Sequence, residues 1–127
     1  MKFTIAIPEK VSLNKIYAGV HWKQRREWAE DMHWAVMACR VPAYRGPFPI
    51  DCRYHFHLHG KQLDSSNCAF LAKLVEDGLV HAGVIPDDSR NYVRWFSVLS
   101  SQAKKTEEQR VEVEFQPSEW NESLETA

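Results

Sequence analysis

Residues 63–88 read LDSSNCAFLAKLVEDGLVHAGVIPDD, and this stretch holds the strongest helix pattern in the chain. Apolar side chains recur at helical spacing through residues 70–79, which is typical of a helix with one buried face. Asp64 or a following Ser supplies an N-cap, and Gly83 supplies a stop. The stretch therefore predicts a helix over residues 65–82, followed by a turn that carries two aspartates.

Outside this stretch, hydrophobic periodicity predicts a second helix and four strands. Helical spacing of apolar residues marks residues 22–39. Apolar and polar residues alternate in four segments, which predicts strands at residues 2–8, 51–59, 91–99 and 109–116. The polar segment from residue 100 to residue 108 is typical of a long hairpin loop. The order β-α-β-α-β-β predicts one α+β domain over residues 1–116, a mixed sheet with the helices packed on one side, and a loose acidic C-terminal tail at residues 117–127.

Composition narrows the function classes only in part. The chain has 127 residues, a net charge of −1 and three cysteines, Cys39, Cys52 and Cys68. Their wide spacing excludes a Cys-x-x-Cys zinc motif and favours reduced thiols in a cytoplasmic protein. No apolar run is long enough to span a bilayer, so we expect no membrane partner. The charge permits nucleic-acid binding without arguing for it.

Acidic residues gather at both ends of the helix predicted over residues 65–82. Hard cations such as Mg²⁺ prefer oxygen ligands, and two such cations held close together suit phosphodiester hydrolysis. Each acid also has a plainer interpretation. Asp64 is a good N-cap, Lys73 and Asp77 fit a surface ion pair, and Asp87-Asp88 fits a turn. Acids at both ends of one helix favour a site over three unrelated features.

Three histidines, His55, His57 and His59, alternate along the strand predicted at residues 51–59, so they share one face. A zinc site is conceivable there. We expect a solvated or substrate-facing surface instead, because three neighbours along one strand are spread too far to close on one ion.

Aromatic and basic side chains interleave at Trp22, Lys23, Arg25, Arg26 and Trp28, a pattern that suits nucleic-acid contact. The alternative is a helix with a core tryptophan and exposed charges, and it is the better account of Trp28.

Lys73, Asp77, Gly83, Asp87 and Asp88 stand at the spacing of a known pattern. On these residues the chain resembles the RusA-type Holliday junction resolvases (crossover junction endodeoxyribonucleases) of phages and prophages. That family's pattern is Asp-x-Asp-Asn, a Lys, an Asp four residues on, a Gly and an Asp-Asp pair. Residues 12–15, Ser-Leu-Asn-Lys, are also similar to the family's N-terminal loop.

The chain departs from the pattern at its first two acids. A gap-free match back from Lys73 places Asn67 and Ala69 where the family has aspartates. Matching Asp64 and Asn67 instead leaves Ser66 at the second acid and adds three residues before Lys73. We prefer this second register because it keeps one acid and the Asn. One acid is missing in either register.

The resemblance implies a Mg²⁺-dependent, structure-selective DNA endonuclease that resolves four-way junctions by paired nicks. Mn²⁺ can substitute for Mg²⁺. Asp64 and Asp88 are then the first metal ligands, with Asp87 or Asp77 as the third acid. Lys73 stabilises charge on the scissile phosphate or orients the attacking water. Asn67 hydrogen-bonds one of the metal-ligating side chains and does not itself contact the ion.

The resemblance also implies branched DNA as the partner, a homodimer, and the cytoplasm of a bacterial or phage-infected cell. We expect DNA contacts from Lys15, Lys23, Arg25, Arg26 and Lys61. Two rival hypotheses remain open, a non-catalytic DNA-binding protein of the same fold and a protein-interaction module whose acids are only caps and turns.

Overall fold

The computed structural model describes residues 1–8, 22–60 and 65–119, and for residues 22–25 and 65–67 it describes the backbone alone. In chain order, the elements of this part are β1 (Lys2–Ala6), α1 (Trp22–Ala38), β2 (Ile50–Leu58), α2 (Ser65–His81), β3 (Val93–Gln102) and β4 (Arg110–Pro117). The predicted α+β class and the order β-α-β-α-β-β are confirmed.

The four strands form one mixed sheet in the order β1-β4-β2-β3. β2 and β3 are parallel and joined by the crossover through α2, whereas β4 runs antiparallel to both β1 and β2. The segment between β3 and β4 is therefore no hairpin loop, and that prediction was wrong. A parallel crossover places β3 at one side of β2 and leaves the other side of β2 free for β4.

Both helices pack on one face of this sheet. Alternate residues of β2 point into the core, and Ile50, Tyr54 and Phe56 are each no more than 1% exposed. The helices contribute a second set of buried side chains, which includes Trp28, Met32, Val36, Leu71, Val75 and Leu79. The face of the sheet away from α1 and α2, here called the far face, carries the intervening residues of the strands.

Close packing of α1 on α2 depends on a glycine. A Cβ atom placed on Gly78 would lie 2.9 Å from Cγ2 of Val36, which is 1% exposed. Such a distance is shorter than van der Waals contact, so the two helices approach this closely only because residue 78 has no side chain.

Three further expectations meet the structure here. Cys39 and Cys52 are free thiols, and Cys68 is a packed residue at 3% exposure. The tail was predicted to begin at residue 117, which is too early, because β4 includes Pro117 and the Ser118 N–H donates to the Pro49 carbonyl at 2.8 Å. Residues 120–127 of the tail lie outside the described residues. Neither α1 nor α2 combines the length and apolar character that a membrane span needs.

Candidate functional site

Helix α2 presents three charged side chains along one flank. Lys73, Glu76 and Asp77 stand at positions i, i+3 and i+4, which are neighbours on a helix surface. The opposite side of α2 carries the buried Leu71, Val75 and Leu79. The hydrophobic face fixes the rotation of the helix on the sheet, and so it fixes where the charged flank lies.

The end of α2 turns the chain back toward that flank. Gly83 has a φ of +77°, its N–H donates to the Val80 carbonyl at 3.0 Å, and the Val84 N–H donates to the Leu79 carbonyl at 2.9 Å. These two bonds form a Schellman motif, which needs the left-handed backbone that glycine adopts without strain. The motif ends the helix and starts the loop that carries the two aspartates.

Within that loop the two aspartates have different parts. The Asp87 carboxylate accepts a hydrogen bond from the Asp88 N–H at 2.9 Å, so Asp87 shapes the turn. The Asp88 carboxylate accepts a hydrogen bond from the Lys73 ammonium, which lies 15 residues earlier in the chain.

Lys73 is the centre of a four-residue group, here called the Lys73 cluster, made of Lys73, Glu76, Asp77 and Asp88. Besides its bond to Asp88, the Lys73 Nζ lies 3.3 Å from Asp77 Oδ1 and 3.5 Å from Glu76 Oε1. The sequence predicted the pairing with Asp77, and the structure adds Asp88 and Glu76. One ammonium therefore neutralises part of the charge of three carboxylates.

Hydrogen bonding and burial shift the pKa values of the residues in this cluster. The hydrogen bond from Lys73 lowers the pKa of the Asp88 carboxyl, and the same bond raises the pKa of the Lys73 ammonium. Burial raises the pKa of Glu76, whose residue is only 9% exposed. Lys73 holds Asp88 ionised, whereas the surroundings of Glu76 oppose its charge.

A small pocket of about 30 Å³ opens beside the cluster, lined by Tyr54, Ala72, Lys73, Glu76 and Phe96. Tyr54 is 1% exposed, and burial raises the pKa of its hydroxyl well above the ordinary value. The Phe96 ring is 50% exposed at the rim. The carboxylate of Glu76 thus stands between a charged flank and an apolar interior.

Several predicted site residues lie outside the described residues or are described by their backbone alone. Asp64, Lys15 and Lys61 lie outside the described residues, and for Asn67, Lys23 and Arg25 only the backbone is described. Arg26 faces solvent on α1, with its Nε 3.5 Å from Glu30 Oε1. Trp28 is 1% exposed and belongs to the core, as its plainer interpretation predicted.

A second group lies on the far face. Among the described residues, His55, His57 and Glu112 are the set whose potential ligand atoms all lie within 4.8 Å of one another, and these residues could hold a metal ion. The carboxylates of the Lys73 cluster form no such set among the described residues. His59 takes no part, because its Nε2 lies 2.5 Å from the Glu107 carbonyl oxygen.

The far-face group includes an acid that the sequence analysis had not connected with the histidines. His55 and His57 lie on β2, as predicted, and Glu112 enters from β4, where it is the register partner of His55. Burial, with His57 next in importance, lowers the pKa of His55. The alternation of β4 could have indicated Glu112 only if its pairing with β2 had been known.

Glu76 was also missed, since an acid three residues after a lysine is typical of an exposed ion pair. Its burial arises where α2 packs on the sheet, close to Tyr54 of β2 and Phe96 of β3.

Comparison with models of known protein families gives no match, and comparison with curated proteins gives none either.

Proposed function

We propose that this chain is a Mg²⁺-dependent, structure-selective DNA endonuclease that resolves four-way junctions by paired nicks. The observation that carries the proposal is the contact between Lys73 and Asp88, residues 15 apart that a helix and a Schellman turn bring together. These two residues also belong to the pattern on which the chain resembles the RusA-type resolvases.

The donor atoms of the Lys73 cluster suit a hard cation. Glu76, Asp77 and Asp88 offer only carboxylate oxygens, which Mg²⁺ prefers over nitrogen or sulfur. Asp88 and Asp77 would hold the ion together with Asp64, which lies outside the described residues. When bound, the ion would polarise a phosphate and lower the pKa of its water. The charge of such an ion would also offset the cost of ionising the buried Glu76.

Glu76 is our candidate to replace the acid of the family pattern that this chain lacks. Its carboxylate lies on the same flank as Asp77 and reaches Lys73 at 3.5 Å. Asp87, the other replacement predicted from sequence, uses a carboxylate oxygen to hold the Asp88 N–H. Glu76 and Asp77 are therefore the better placed of the remaining acids.

Lys73 has a role that needs no proton transfer. Its pKa is raised, so the ammonium stays charged at neutral pH. A scissile phosphate that enters the cluster would compete with Asp88 for this charge. As negative charge builds up on the phosphate oxygens during attack, the ammonium would stabilise it.

Branched DNA and a second copy of the chain complete the proposal. Two-fold symmetry of a homodimer matches the two-fold relation between the strands cut in a four-way junction. Arg26, exposed on α1, is the predicted DNA contact that the structure describes with its side chain. The chain would encounter this substrate in the cytoplasm of a bacterial or phage-infected cell.

A nicking assay on labelled four-way junctions tests the proposal. The full chain should cut the junction in Mg²⁺ or Mn²⁺, cut linear duplex of the same sequence far less, and stop in EDTA. Binding without cutting in either metal would select the non-catalytic DNA-binding alternative. Absence of junction binding and of any metal-induced change in thermal stability would favour the protein-interaction module.

A further inference from the structure

The far face carries two imidazoles and a carboxylate at close range, on the side of the sheet away from α1 and α2. His55 and His57 are alternate residues of β2, so their rings project from the same face. Their centroids are 4.1 Å apart with the planes inclined by 29°. Glu112 on β4 is the direct register partner of His55. Donors from two neighbouring strands can close on one ion in a way that three along one strand cannot.

The distances leave little rearrangement to be made. The potential ligand atoms of the three residues all lie within 4.8 Å of one another. Tetrahedral Zn²⁺ with bonds of ~2.0–2.1 Å would place them about 3.3 Å apart. Small rotations of side chains at the sheet surface can make up this difference, with no movement of the backbone.

One of the donors makes no well-formed hydrogen bond. The His57 Nε2 is buried and has no hydrogen-bond partner, although Glu112 Oε1 lies 3.0 Å away. A buried polar nitrogen without a hydrogen bond is uncommon in folded proteins and calls for an explanation such as an ion. His55 is held at its own Nε2, which lies 2.6 Å from the Ser101 Oγ.

The neighbouring cations pair with acids other than Glu112, so they leave its carboxylate available to a metal ion. The nearest cation along β4, Arg110, is paired with Glu107 at 3.3 Å. On the same face, Lys2 and Arg53 both reach Glu114, at 3.1 Å and 3.9 Å. Glu112 is 51% exposed at its side chain, so one side of the group is open to solvent.

We infer that His55, His57 and Glu112 bind one transition-metal ion of the Zn²⁺ class, with a fourth position open to water. Two imidazoles with one carboxylate suit Zn²⁺, whereas Mg²⁺ prefers oxygen ligands alone. The ion would join β2 to β4 and would be separate from the Mg²⁺ proposed at the Lys73 cluster, so the inference goes beyond the proposed nuclease function.

Isothermal titration of the untagged full chain with Zn²⁺ tests this inference. We expect one ion per chain, and we expect His57→Ala and Glu112→Gln each to weaken binding at least about tenfold. His59→Ala is the matched control, since it removes the next histidine in the sequence, one residue past the end of β2, and should leave the affinity unchanged. Asp88→Asn should also leave it unchanged, which separates this site from the Lys73 cluster.

Co²⁺ gives an independent readout on the wild-type chain, so the test survives a variant that fails to fold. Visible ligand-field bands without thiolate charge-transfer bands would support nitrogen and oxygen ligands. Thiolate bands would assign the ion to a cysteine and overturn the inference. Absence of saturable binding by the wild type, or an equal loss of affinity in His59→Ala, would overturn it as well.

Discussion

At Lys73 a single ammonium faces three carboxylates, and its removal separates two explanations of the cluster. If Lys73 serves the phosphate, Lys73→Ala should abolish nicking while junction binding stays within a few-fold of wild type, because the charge acts mainly on the transition state. If Lys73 only pairs with acids at the surface, where it is 55% exposed, stability should change by under ~1 kcal/mol and nicking should persist.

Nicking rates and gel-shift affinities on the same junction measure both effects of Lys73→Ala. Lys105→Ala is the matched control, since Lys105 is an exposed lysine of the loop between β3 and β4. Full nicking by the Lys73→Ala protein would refute the role that we assign. Equal loss of binding and nicking would make Lys73 a general phosphate contact.

Glu76 gives a prediction about pH. Burial raises its pKa above the ordinary value of 4.5, so the folded chain keeps a proton that the unfolded chain has already lost. Ionising Glu76 therefore costs folding free energy as the pH rises through that window, and the full cost remains above it. Glu76→Gln should be more stable than wild type at pH 8, by a margin that shrinks towards pH 4, in urea unfolding at both values.

Asp88→Asn is the natural counterpart, because the shift there has the opposite sign. Lys73 lowers the pKa of Asp88 below 3.8, so the stability from its charge is present above that pH and is lost as the pH falls through the lowered pKa. Asp88→Asn should therefore destabilise the chain at pH 8. A Glu76→Gln protein that is less stable than wild type at pH 8 would contradict our account of the buried carboxyl.

At the scale of elements, the contact between α1 and α2 at Gly78 sets a limit on side-chain size. Gly78→Ala gains about 1 kcal/mol of helix propensity, but its Cβ would meet Val36 Cγ2 at 2.9 Å, and overpacking costs typically ~1–3 kcal/mol. We expect a net loss of about 1 kcal/mol in denaturant unfolding.

The Val36→Ala background provides the control for Gly78→Ala, since it removes the methyl group that the new Cβ would meet. There, Gly78→Ala should be neutral or stabilising. The same loss in both backgrounds would mean that something other than the helix contact requires glycine.

Helix α2 was the element best predicted from sequence. Its predicted bounds, residues 65–82, differ from Ser65–His81 by one residue, because the apolar spacing and Gly83 are local signals. The pairing of the strands was not predictable in the same way. Adjacent strands commonly form hairpins, yet β3 and β4 lie on opposite sides of β2. This pairing depends on contacts distant in the sequence.

In the candidate sites, too, local contacts were predictable from the sequence and distant ones were not. Lys73 and Asp77 were predicted as neighbours because four residues make about one helical turn. Neither the burial of Glu76 nor the approach of Glu112 to His55 could be predicted from spacing. The first depends on how α2 packs on the sheet, and the second on which strand lies beside β2.

For the molecule as a whole, the proposed Mg²⁺ site predicts a stability increment. An ion that binds only the folded chain adds about 1.4 kcal/mol at ten times its Kd, or a few degrees in Tm for a domain of this size. Thermal unfolding of the wild type should show this rise with added Mg²⁺. Asp88→Asn should lose most of it and Lys105→Ala should keep it. An equal rise in all three proteins would point to a general salt effect.

The position of β4 has a consequence for how the chain is made. β1 and β2 each pair with β4 and do not pair with each other. β4 is also the last described strand to leave the ribosome. Until residues 110–117 have been synthesised, β1 has no strand partner among the described elements, and one edge of β2 stays bare. Bare edges invite pairing with other chains. We expect nascent chains arrested before residue 110 to be sensitive to proteases and to bind chaperones, with protection appearing in one step once β4 has emerged.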